Sequence, residues 1–262
     1  MNIERIGKKN EIYKDIKLLY KNNNNDNIVT DDINVIKLMI DHNITINTFL
    51  YCDELTYKNE TLDLIKQAIN VAKSSFSISK DTFDSLAQKE NSIGLIATTN
   101  LITYQLRDFI NKDYLVVCDG LETPGNVGTI YRTLDSAKVD GLICVNEVAK
   151  LSNPKLTTSA RGCNLLVPTV NTTYLEACKW LLDNNYDIYL GEPNLGLNYK
   201  EYSYSGKIAI VVGSERFGIT QDWYNHKHKK VYIPMFGSNN SLNVSVATSI
   251  LVYEATMKRN NL

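Results

Sequence analysis

The chain has 262 residues, of which 44% are hydrophobic and 22% are charged, and its formal net charge at pH 7 is -1. This length can bury one large core or two smaller ones, and the composition is that of a globular protein. A net charge so near zero excludes a large nonspecific footprint on nucleic acid, although it leaves room for a local basic surface. We expect no membrane span and no secretory signal, and therefore a cytoplasmic protein.

The five cysteines do not predict a disulfide framework or a zinc site, because their number is odd and no pair has CxxC spacing. They are Cys52, Cys118, Cys144, Cys163 and Cys178. The three histidines form no metal-binding pattern either. We therefore expect no metal and a reducing compartment.

The first 100 residues predict a small α/β domain. A polar amphipathic helix is expected over about 2–21, and shorter helices near 33–40 and 62–72, where apolar residues recur at helical spacing. Strands are predicted at 48–52, 76–78 and 92–97. A connecting helix is expected over 101–112, so the predicted domains are 1–100, the linker 101–112, and 113–262.

The second half predicts a mostly parallel sheet with helices on its faces. Tyr114–Cys118 is a continuous apolar run, which is typical of a strand buried on both sides. Further strands are expected at 141–145, 165–170, 187–190, 208–212 and 230–233. Helical segments separate most of these strands, and this alternation indicates the α/β class.

A first polar cluster, DGLETPGNVGTIYR, runs from Asp119 to Arg132. It follows a predicted buried strand and opens a helix, with Pro124-Gly125 making the turn and Asn126 in position to cap the helix. Taken by itself, the cluster fits an ordinary strand–turn–helix junction as well as a ligand site.

A second cluster, VVGSERFG, follows the predicted strand at 208–212. Ligands of open parallel sheets bind beyond the carboxyl ends of the strands, where Gly213 exposes its backbone. Glu215 supplies a carboxylate there, although alone it fits a solvated loop residue better than a ligand site.

A third cluster, IPMFGSNNSLNVSVA, joins a predicted strand to a helix that ends near residue 258. Its small-residue loop, 234–242, suits a bound adenosine that needs apolar walls and backbone donors. The helix has an apolar face that we expect in the core, formed by Val244, Ala247, Leu251 and Ala255. Val252, Tyr253 and Met257 lie elsewhere around the helix and predict a second contact surface.

The motifs NVGTIYR, GSERFG and IPMFGSNNSLNVSVA resemble, in order and spacing, those of the SpoU/TrmH family of ribose 2'-O-methyltransferases in the SPOUT superfamily. The resemblance covers about 114–259. It implies S-adenosyl-L-methionine as methyl donor, RNA as substrate, a homodimer, and a parallel sheet with a trefoil knot. Less specifically, the first 100 residues resemble a ribosomal-protein-like RNA-binding domain.

The two-domain layout most resembles the thiostrepton-resistance branch of this family. That resemblance implies large-subunit (23S) ribosomal RNA as the target and raises the hypothesis of resistance to thiopeptide antibiotics.

The same resemblance assigns roles to individual residues. The implied catalytic residues are Asn126, Arg132, Glu215, Ser241 and Asn243. The implied cofactor-binding residues are Leu190, Gly191, Val212, Gly213, Ser214, Ile233, Pro234, Met235 and Leu242. Arg132 and Arg161 are implied RNA contacts, although the preceding Thr157-Thr158-Ser159 departs from the more basic sequence expected there.

Methyl transfer from a sulfonium requires the ribose hydroxyl in line with the S–CH3 bond, and this alignment can supply about 7–11 kcal/mol of the barrier. The family is described with Arg132 as the base. Because a guanidinium group stays protonated at neutral pH, Arg132 can instead orient the hydroxyl and neutralise a phosphate that accepts the proton. The sequence leaves both roles open.

Two other functions stay open at this point. Transfer-RNA ribose methyltransferases share the three motifs, but often carry basic terminal extensions in place of an N-terminal domain. A noncatalytic RNA-binding protein could keep the fold, although it would be expected to lose motif residues that this chain retains. A dinucleotide-dependent oxidoreductase is disfavoured because no GxGxxG follows the first strand.

Overall fold

The computed structural model describes residues 3–21, 26–56, 59–87, 93–146 and 148–262. The chain divides into two compact units. One comprises Met1–Ile102 with Lys150–Gly162, and the other comprises Thr103–Ala149 with Cys163–Leu262. The segment Lys150–Gly162, which the sequence placed within 113–262, thus packs with the first unit.

The first unit is a five-stranded mixed sheet with helices, in the order β1-β4-β3-β5-β2. Its strands are β1 (Arg5–Ile6), β2 (Asn27–Thr30), β3 (Thr48–Tyr51), β4 (Ser74–Ile78) and β5 (Leu95–Asn100). Its helices are α1 (Glu11–Lys21), α2 (Ile33–Asp41), α3 (Asn59–Val71), α4 (Lys80–Asp84) and α6 (Pro154–Ala160). β5 runs antiparallel to both of its neighbours, β3 and β2, whereas β1, β4 and β3 are mutually parallel.

The sequence prediction for this unit was wrong in two places. The helix expected over 2–21 begins only at Glu11, because Asn10 N–H donates to the Gly7 carbonyl in a turn and Asn10 Oδ1 accepts from Ile12 N–H. Before that turn, Ile6 is buried and pairs with Ile78 as β1. β2 was not predicted. The strand expected at 92–97 is observed at Leu95–Asn100, and Ser92, like Asn2, lies outside the described residues.

The second unit is a seven-stranded parallel sheet in the order β10-β12-β9-β11-β6-β7-β8, which confirms the α/β class. Its strands are β6 (Tyr114–Asp119), β7 (Gly141–Val145), β8 (Thr169–Asn171), β9 (Asp187–Glu192), β10 (Leu197–Asn198), β11 (Ile208–Gly213) and β12 (Lys229–Tyr232). Its α-helices are α5 (Pro124–Ser136), α7 (Tyr174–Asp183) and α8 (Val244–Arg259). Short 3-10 helices span Leu106–Phe109, Cys163–Leu165, Tyr199–Glu201 and Gln221–Asn225.

The central strands β6 and β11 are covered on both faces, as their apolar sequences indicate. Val211 pairs with Val117 on one side and with Leu190 on the other, and all three are fully buried. Because the strands of this sheet are parallel, their carboxyl ends lie at one edge, and the loops that follow the central strands converge there.

Two expectations for the second unit were also wrong. Only the 3-10 helix Leu106–Phe109 forms where a linker helix over 101–112 was expected, since the β-branched and aromatic residues at 102–104 are weak helix formers. The strand expected at 165–170 is shorter and later, at Thr169–Asn171.

Helix α8 is anchored to the sheet at its carboxyl end. Tyr114 donates its hydroxyl to the Val252 carbonyl oxygen at 2.7 Å, and Arg259 donates to Asp113 Oδ1 at 2.8 Å. The helix thereby holds its amino end, which carries the third motif, at the carboxyl edge of the sheet.

The trefoil knot implied by the family resemblance stays a prediction. Within the described ranges, no helix is both long and apolar enough to cross a bilayer.

Candidate active site

A cavity of about 570 Å³ opens where β9, β11 and β12 end at neighbouring positions of the sheet. The segments after these three strands and the first turns of α8 enclose it. Its volume is within the range of sites that hold a drug-sized ligand. Seven of the nine residues that the resemblance assigned to the cofactor line it: Gly191, Val212, Gly213, Ser214, Ile233, Met235 and Leu242.

Two glycines give the cavity its depth. A Cβ built on Gly213 would lie 2.1 Å from the carbonyl carbon of Gly218, so only glycine fits at this position. A Cβ on Gly191 would lie 3.3 Å from both Leu251 Cδ1 and the Val211 carbonyl oxygen. Side chains at either position would meet the chain itself, so the two glycines let the loop after β11 and helix α8 pack closely against the strand ends.

The five residues Ser214 to Gly218 form a closed loop, which we call the partition loop. Ser214 N–H donates to the Gly218 carbonyl at 3.1 Å, and Gly218 N–H returns a bond to the Ser214 carbonyl at 2.9 Å. Ser214 Oγ also accepts from Phe217 N–H at 3.0 Å. This loop holds Glu215 and Phe217 at the rim of the cavity.

Three polar side chains from the three motifs meet beside the cavity. Asn126 donates its amide Nδ2 to Glu215 Oε1, and Asn243 donates its Nδ2 to Asn126 Oδ1 at 3.2 Å. Asn243 also caps α8, since its Oδ1 accepts from Ser245 N–H at 3.0 Å. The sequence expected Asn126 to cap α5, but Thr123 is the cap residue and Asn126 lies in the first turn, with its side chain turned to Glu215.

The remaining predicted residues of the third motif surround the mouth of the cavity. Ser241, which is exposed, and the 37% exposed Leu242 line it, whereas Pro234 is not among the lining residues. Leu190 is fully buried beneath, in β9, so it supports the wall rather than facing a ligand.

The two predicted arginines stand apart from this cluster. Arg132 is exposed on α5 and is not among the residues lining the cavity. Arg132 follows Asn126 by six positions on α5. This separation corresponds to about 9 Å along the helix axis and about 120° around the helix. Arg161 belongs to the first unit, where it ends α6 in a left-handed conformation with φ of 51°. Its assignment as an RNA contact stays a prediction.

Sequence reasoning missed an acidic and phenolic pair inside the cavity. Tyr224 donates its hydroxyl to Glu192 Oε1, and both residues line the cavity. Burial, followed by the neighbouring Glu192 carboxylate, raises the pKa of Tyr224 well above its ordinary value, so the phenol keeps its proton. The position of Glu192 at the end of β9 was the available signal, because ligands bind at strand ends. Tyr224 lies in a 3-10 helix that no motif marked.

Val244, Ala247 and Leu251 were expected to serve only as core residues, yet they also line the cavity. They add apolar side chains to a lining that also carries the polar groups of Glu192, Ser241 and Asn243. The site therefore fits S-adenosyl-L-methionine, because apolar side chains can cover an adenine ring and a carboxylate can accept from ribose hydroxyls. No group of three potential metal ligands occurs among the described residues.

Comparisons with known proteins agree with this geometry. Residues 113–253 match the SpoU rRNA Methylase family. The Bacillus subtilis 23S rRNA (guanosine(2553)-2'-O)-methyltransferase RlmP is 27% identical over 200 residues, which cover 76% of this chain and 79% of that protein.

Two solved structures share the fold along nearly the whole chain. The AdoMet-bound rRNA methyltransferase from Sinorhizobium meliloti superimposes with a TM-score of 0.85 at 19% identity, covering 97% of each chain. The SpoU methyltransferase AviRb from Streptomyces viridochromogenes, in complex with AdoMet, gives a TM-score of 0.83 at 23% identity and covers 94% of this chain and 97% of its own.

The parallel sheet, with a cavity at the carboxyl ends of β9, β11 and β12, has the fold of these solved methyltransferases. Since the family match spans more than half of the chain, the protein belongs to the SpoU rRNA methylase family.

Proposed function

We propose that this protein transfers a methyl group from S-adenosyl-L-methionine to a ribose 2'-hydroxyl of large-subunit ribosomal RNA. The observation that carries the proposal is the hydrogen-bonded series Asn243–Asn126–Glu215 at the rim of the 570 Å³ cavity. It joins one residue from each of the three motifs, and it borders the place where a methyl donor and an acceptor would meet.

The chain's own residues hold and orient the reactants. Gly191 and Gly213 line the cavity that would hold the methyl donor, whose sulfonium supplies an activated methyl group. Asn126 fixes the Glu215 carboxylate at the edge of the cavity, which is where an acceptor ribose would approach. Placing the hydroxyl in line in this way can account for about 7–11 kcal/mol of the barrier.

Arg132 acts on the RNA in this proposal. Its guanidinium group is permanently charged and presents a planar fork that matches phosphate oxygens. It is exposed on α5, outside the cavity, where it can hold a phosphate next to the target ribose and orient the hydroxyl. A nonbridging phosphate oxygen then accepts the proton.

Ribosomal RNA is favoured over transfer RNA by two of the similar proteins. RlmP is named as a 23S rRNA methyltransferase and the Sinorhizobium protein as an rRNA methyltransferase, and each similarity extends beyond the methyltransferase unit. On this basis the first unit, 1–100 in the sequence prediction, is proposed to bind the RNA.

The protein is proposed to act in the cytoplasm, where its five free cysteines stay reduced.

A homodimer is the proposed active form. Val246, Tyr253 and Met257 on α8 are 47%, 45% and 43% exposed, and their spacing places them on one stripe of the helix. The opposite side of α8, including Leu251 and Ala255, is buried in the unit itself. A helix that is apolar on two sides fits a second buried contact.

The test is methyl transfer with purified protein, tritium-labelled S-adenosyl-L-methionine and unmodified large-subunit ribosomal RNA, in the presence of EDTA. The expected product carries the label in a linkage that resists alkaline cleavage, because the 2'-hydroxyl is blocked. Transfer RNA serves as the competing substrate. Label in a base, or in transfer RNA alone, would contradict the proposal.

A further inference from the structure

A second cavity, of about 500 Å³, lies on the other side of the partition loop from the first. It opens beyond the carboxyl ends of β11, β6 and β7, which are consecutive in the sheet. Ser214, Phe217 and Gly218 line both cavities, whereas Glu122, Asn146 and Thr220 line only the second. Glu122 and Asn146 lie outside the three sequence motifs, so the motifs did not mark them as site residues.

The buried carboxylate of Asp119 lies at the floor of this cavity, and its oxygens already accept hydrogen bonds from the protein. Asp119 is 2% exposed and accepts from Thr220 N–H at 2.7 Å, from Trp223 Nε1 at 3.2 Å and from Asn146 Nδ2 at 2.7 Å. These bonds occupy both oxygens of Asp119. It therefore fixes the surrounding side chains and does not itself bind a ligand.

Two side chains that line this cavity present hydrogen-bond acceptors to a ligand. Asn146 commits its Nδ2 to Asp119 and to Thr220 Oγ1, the latter at 3.0 Å, so the atom of its amide that remains for a ligand is the carbonyl oxygen. Glu122 is exposed and adds a carboxylate with two acceptor oxygens. A matching ligand has to present adjacent donors.

An exposed aromatic ring stands at the rim of the same cavity. Phe217 is 71% exposed, and its backbone is held in place by the N–H bond to Ser214 Oγ. The Arg216 guanidinium carbon lies 4.9 Å from the ring centroid. An aromatic face with a cation beside it is typical of sites that stack an unpaired base and hold the flanking phosphate.

We propose that the second cavity holds the base of the target nucleotide and that this base is guanine. The Watson–Crick edge of guanine offers N1–H and N2–H side by side, so a carboxylate can accept from both. Adenine and cytosine each place an acceptor beside their amino donor, and uracil flanks its single N–H with carbonyl oxygens. Glu122 and the Asn146 amide oxygen therefore select guanine, and Phe217 stacks on it.

This inference rests on the proposed function, because the base must be delivered beside the methyl donor. The partition loop separates the two cavities by only a few residues, so a base in the second cavity brings its ribose to the rim where Glu215 and Asn126 lie. The same arrangement requires the base to leave its stack, as in other enzymes that act on single nucleotides.

The experiment measures binding of 5'-GMP, 5'-AMP, 5'-CMP and 5'-UMP to the full chain by ligand-observed NMR, with saturating S-adenosylhomocysteine. GMP is expected to bind at least about tenfold tighter than the other three. Glu122→Gln should remove most of this preference, and Phe217→Leu should weaken GMP binding about tenfold. Asp183→Asn, which neutralises an exposed carboxylate on α7, is the matched control and should leave GMP binding unchanged.

S-adenosylhomocysteine affinity is measured in parallel by calorimetry for every variant. Glu122→Gln should leave it unchanged, since Glu122 lines only the second cavity. If the wild-type protein binds S-adenosylhomocysteine but shows equal affinity for the four nucleotides, the guanine assignment is wrong while the proposed function stands. If it binds no S-adenosylhomocysteine, the proposed function fails and the inference fails with it.

Methyl transfer to unmodified ribosomal RNA gives an independent readout. Nuclease digestion of the labelled product should yield 2'-O-methylguanosine. Label in any other ribose would overturn the assignment of the base without affecting that of the enzyme.

Discussion

Asn243 and Asn126 are 117 positions apart in the chain, yet the Asn243 side-chain amide donates to the Asn126 carbonyl oxygen at 3.2 Å. The other end of the same Asn243 amide caps α8 by accepting from Ser245 N–H and Ser245 Oγ at 3.0 and 2.6 Å. One side chain thus starts the C-terminal helix and orients the residue that holds Glu215. Its structural and functional contributions can be separated by substitution.

Asn243→Ser keeps a capping oxygen but is too short to reach Asn126, whereas Asn243→Ala removes both interactions. Alanine should therefore destabilise the fold by about 1 kcal/mol, and serine by only a fraction of that. Both variants should lose about tenfold in methyl transfer, as expected for one lost hydrogen bond in the site. Thermal unfolding and turnover, measured together, check this. Full activity in the serine variant would show that the bond to Asn126 is dispensable.

Arg132→Ala should abolish methyl transfer and leave folding intact, because the side chain is exposed on α5 and supports no core contact. Arg132→Lys should also fail largely, since an ammonium group cannot reproduce the planar fork. Affinity for S-adenosylhomocysteine should be unchanged in both variants, because Arg132 is not among the residues lining its cavity. Near-normal turnover by the alanine variant would remove Arg132 from the mechanism.

Gly213→Ala should weaken S-adenosylhomocysteine binding by more than about tenfold. The added methyl group would lie 2.1 Å from the Gly218 backbone, so the partition loop must move. Such overpacking is expected to cost about 1–3 kcal/mol of stability as well. Gly7→Ala is the control, since a Cβ there meets nothing within 4 Å. Calorimetry at a temperature where both variants are folded makes the comparison, and unchanged affinity would contradict the assigned site.

Cys163 should react slowly with iodoacetamide at pH 8. Burial, followed by the nearby Asp135 carboxylate, raises the pKa of its thiol to about 11, so only about one thiol in a thousand is ionised. Asp135→Asn should speed the labelling and Arg132→Ala should slow it further, because the Arg132 charge lowers this pKa. Peptide mass spectrometry resolves Cys163 from the other cysteines. Equal rates in the three proteins would contradict this arrangement of charges.

The proposed dimer should give a mass near twice 29.6 kDa by light scattering. Tyr253→Asp, which charges the exposed stripe of α8, should shift it toward monomer and lower methyl transfer with it. Leu175→Asp provides the control, because Leu175 on α7 is 73% exposed and lies outside this stripe. A fully active monomer at assay concentration would rule out the dimer as the required form.

The sequence located the central strands β7, β6 and β11 closely because they are continuous apolar runs. β7 was predicted with its observed bounds, and the ends of β6 and β11 differ from the prediction by one residue. Gly213 and Glu215 were expected near a ligand because they follow β11, and both line the cavity. Side-chain directions were not readable, however: Asn126 had been expected to cap α5, and its bond to Glu215 depends on residues that are far apart in the chain.

Helical periodicity did not predict correctly which residues of α8 are buried and which are exposed. Val252 was expected on a second contact surface together with Tyr253 and Met257. In the structure Val252 is fully buried, and its carbonyl accepts from Tyr114, so only the other two remain exposed. A helix with apolar residues all round does not reveal, from its sequence, which side the rest of the chain covers.

The partition loop has an energetic consequence, because Ser214, Phe217 and Gly218 line both cavities. Any ligand that shifts or stiffens these residues on one side changes the free energy of binding on the other. Thermodynamic linkage makes this effect reciprocal: a nucleotide that raises the affinity for S-adenosylhomocysteine by some factor has its own affinity raised by that factor. Donor and acceptor then assemble cooperatively, and after the reaction the spent donor and the modified RNA each alter how tightly the other is bound.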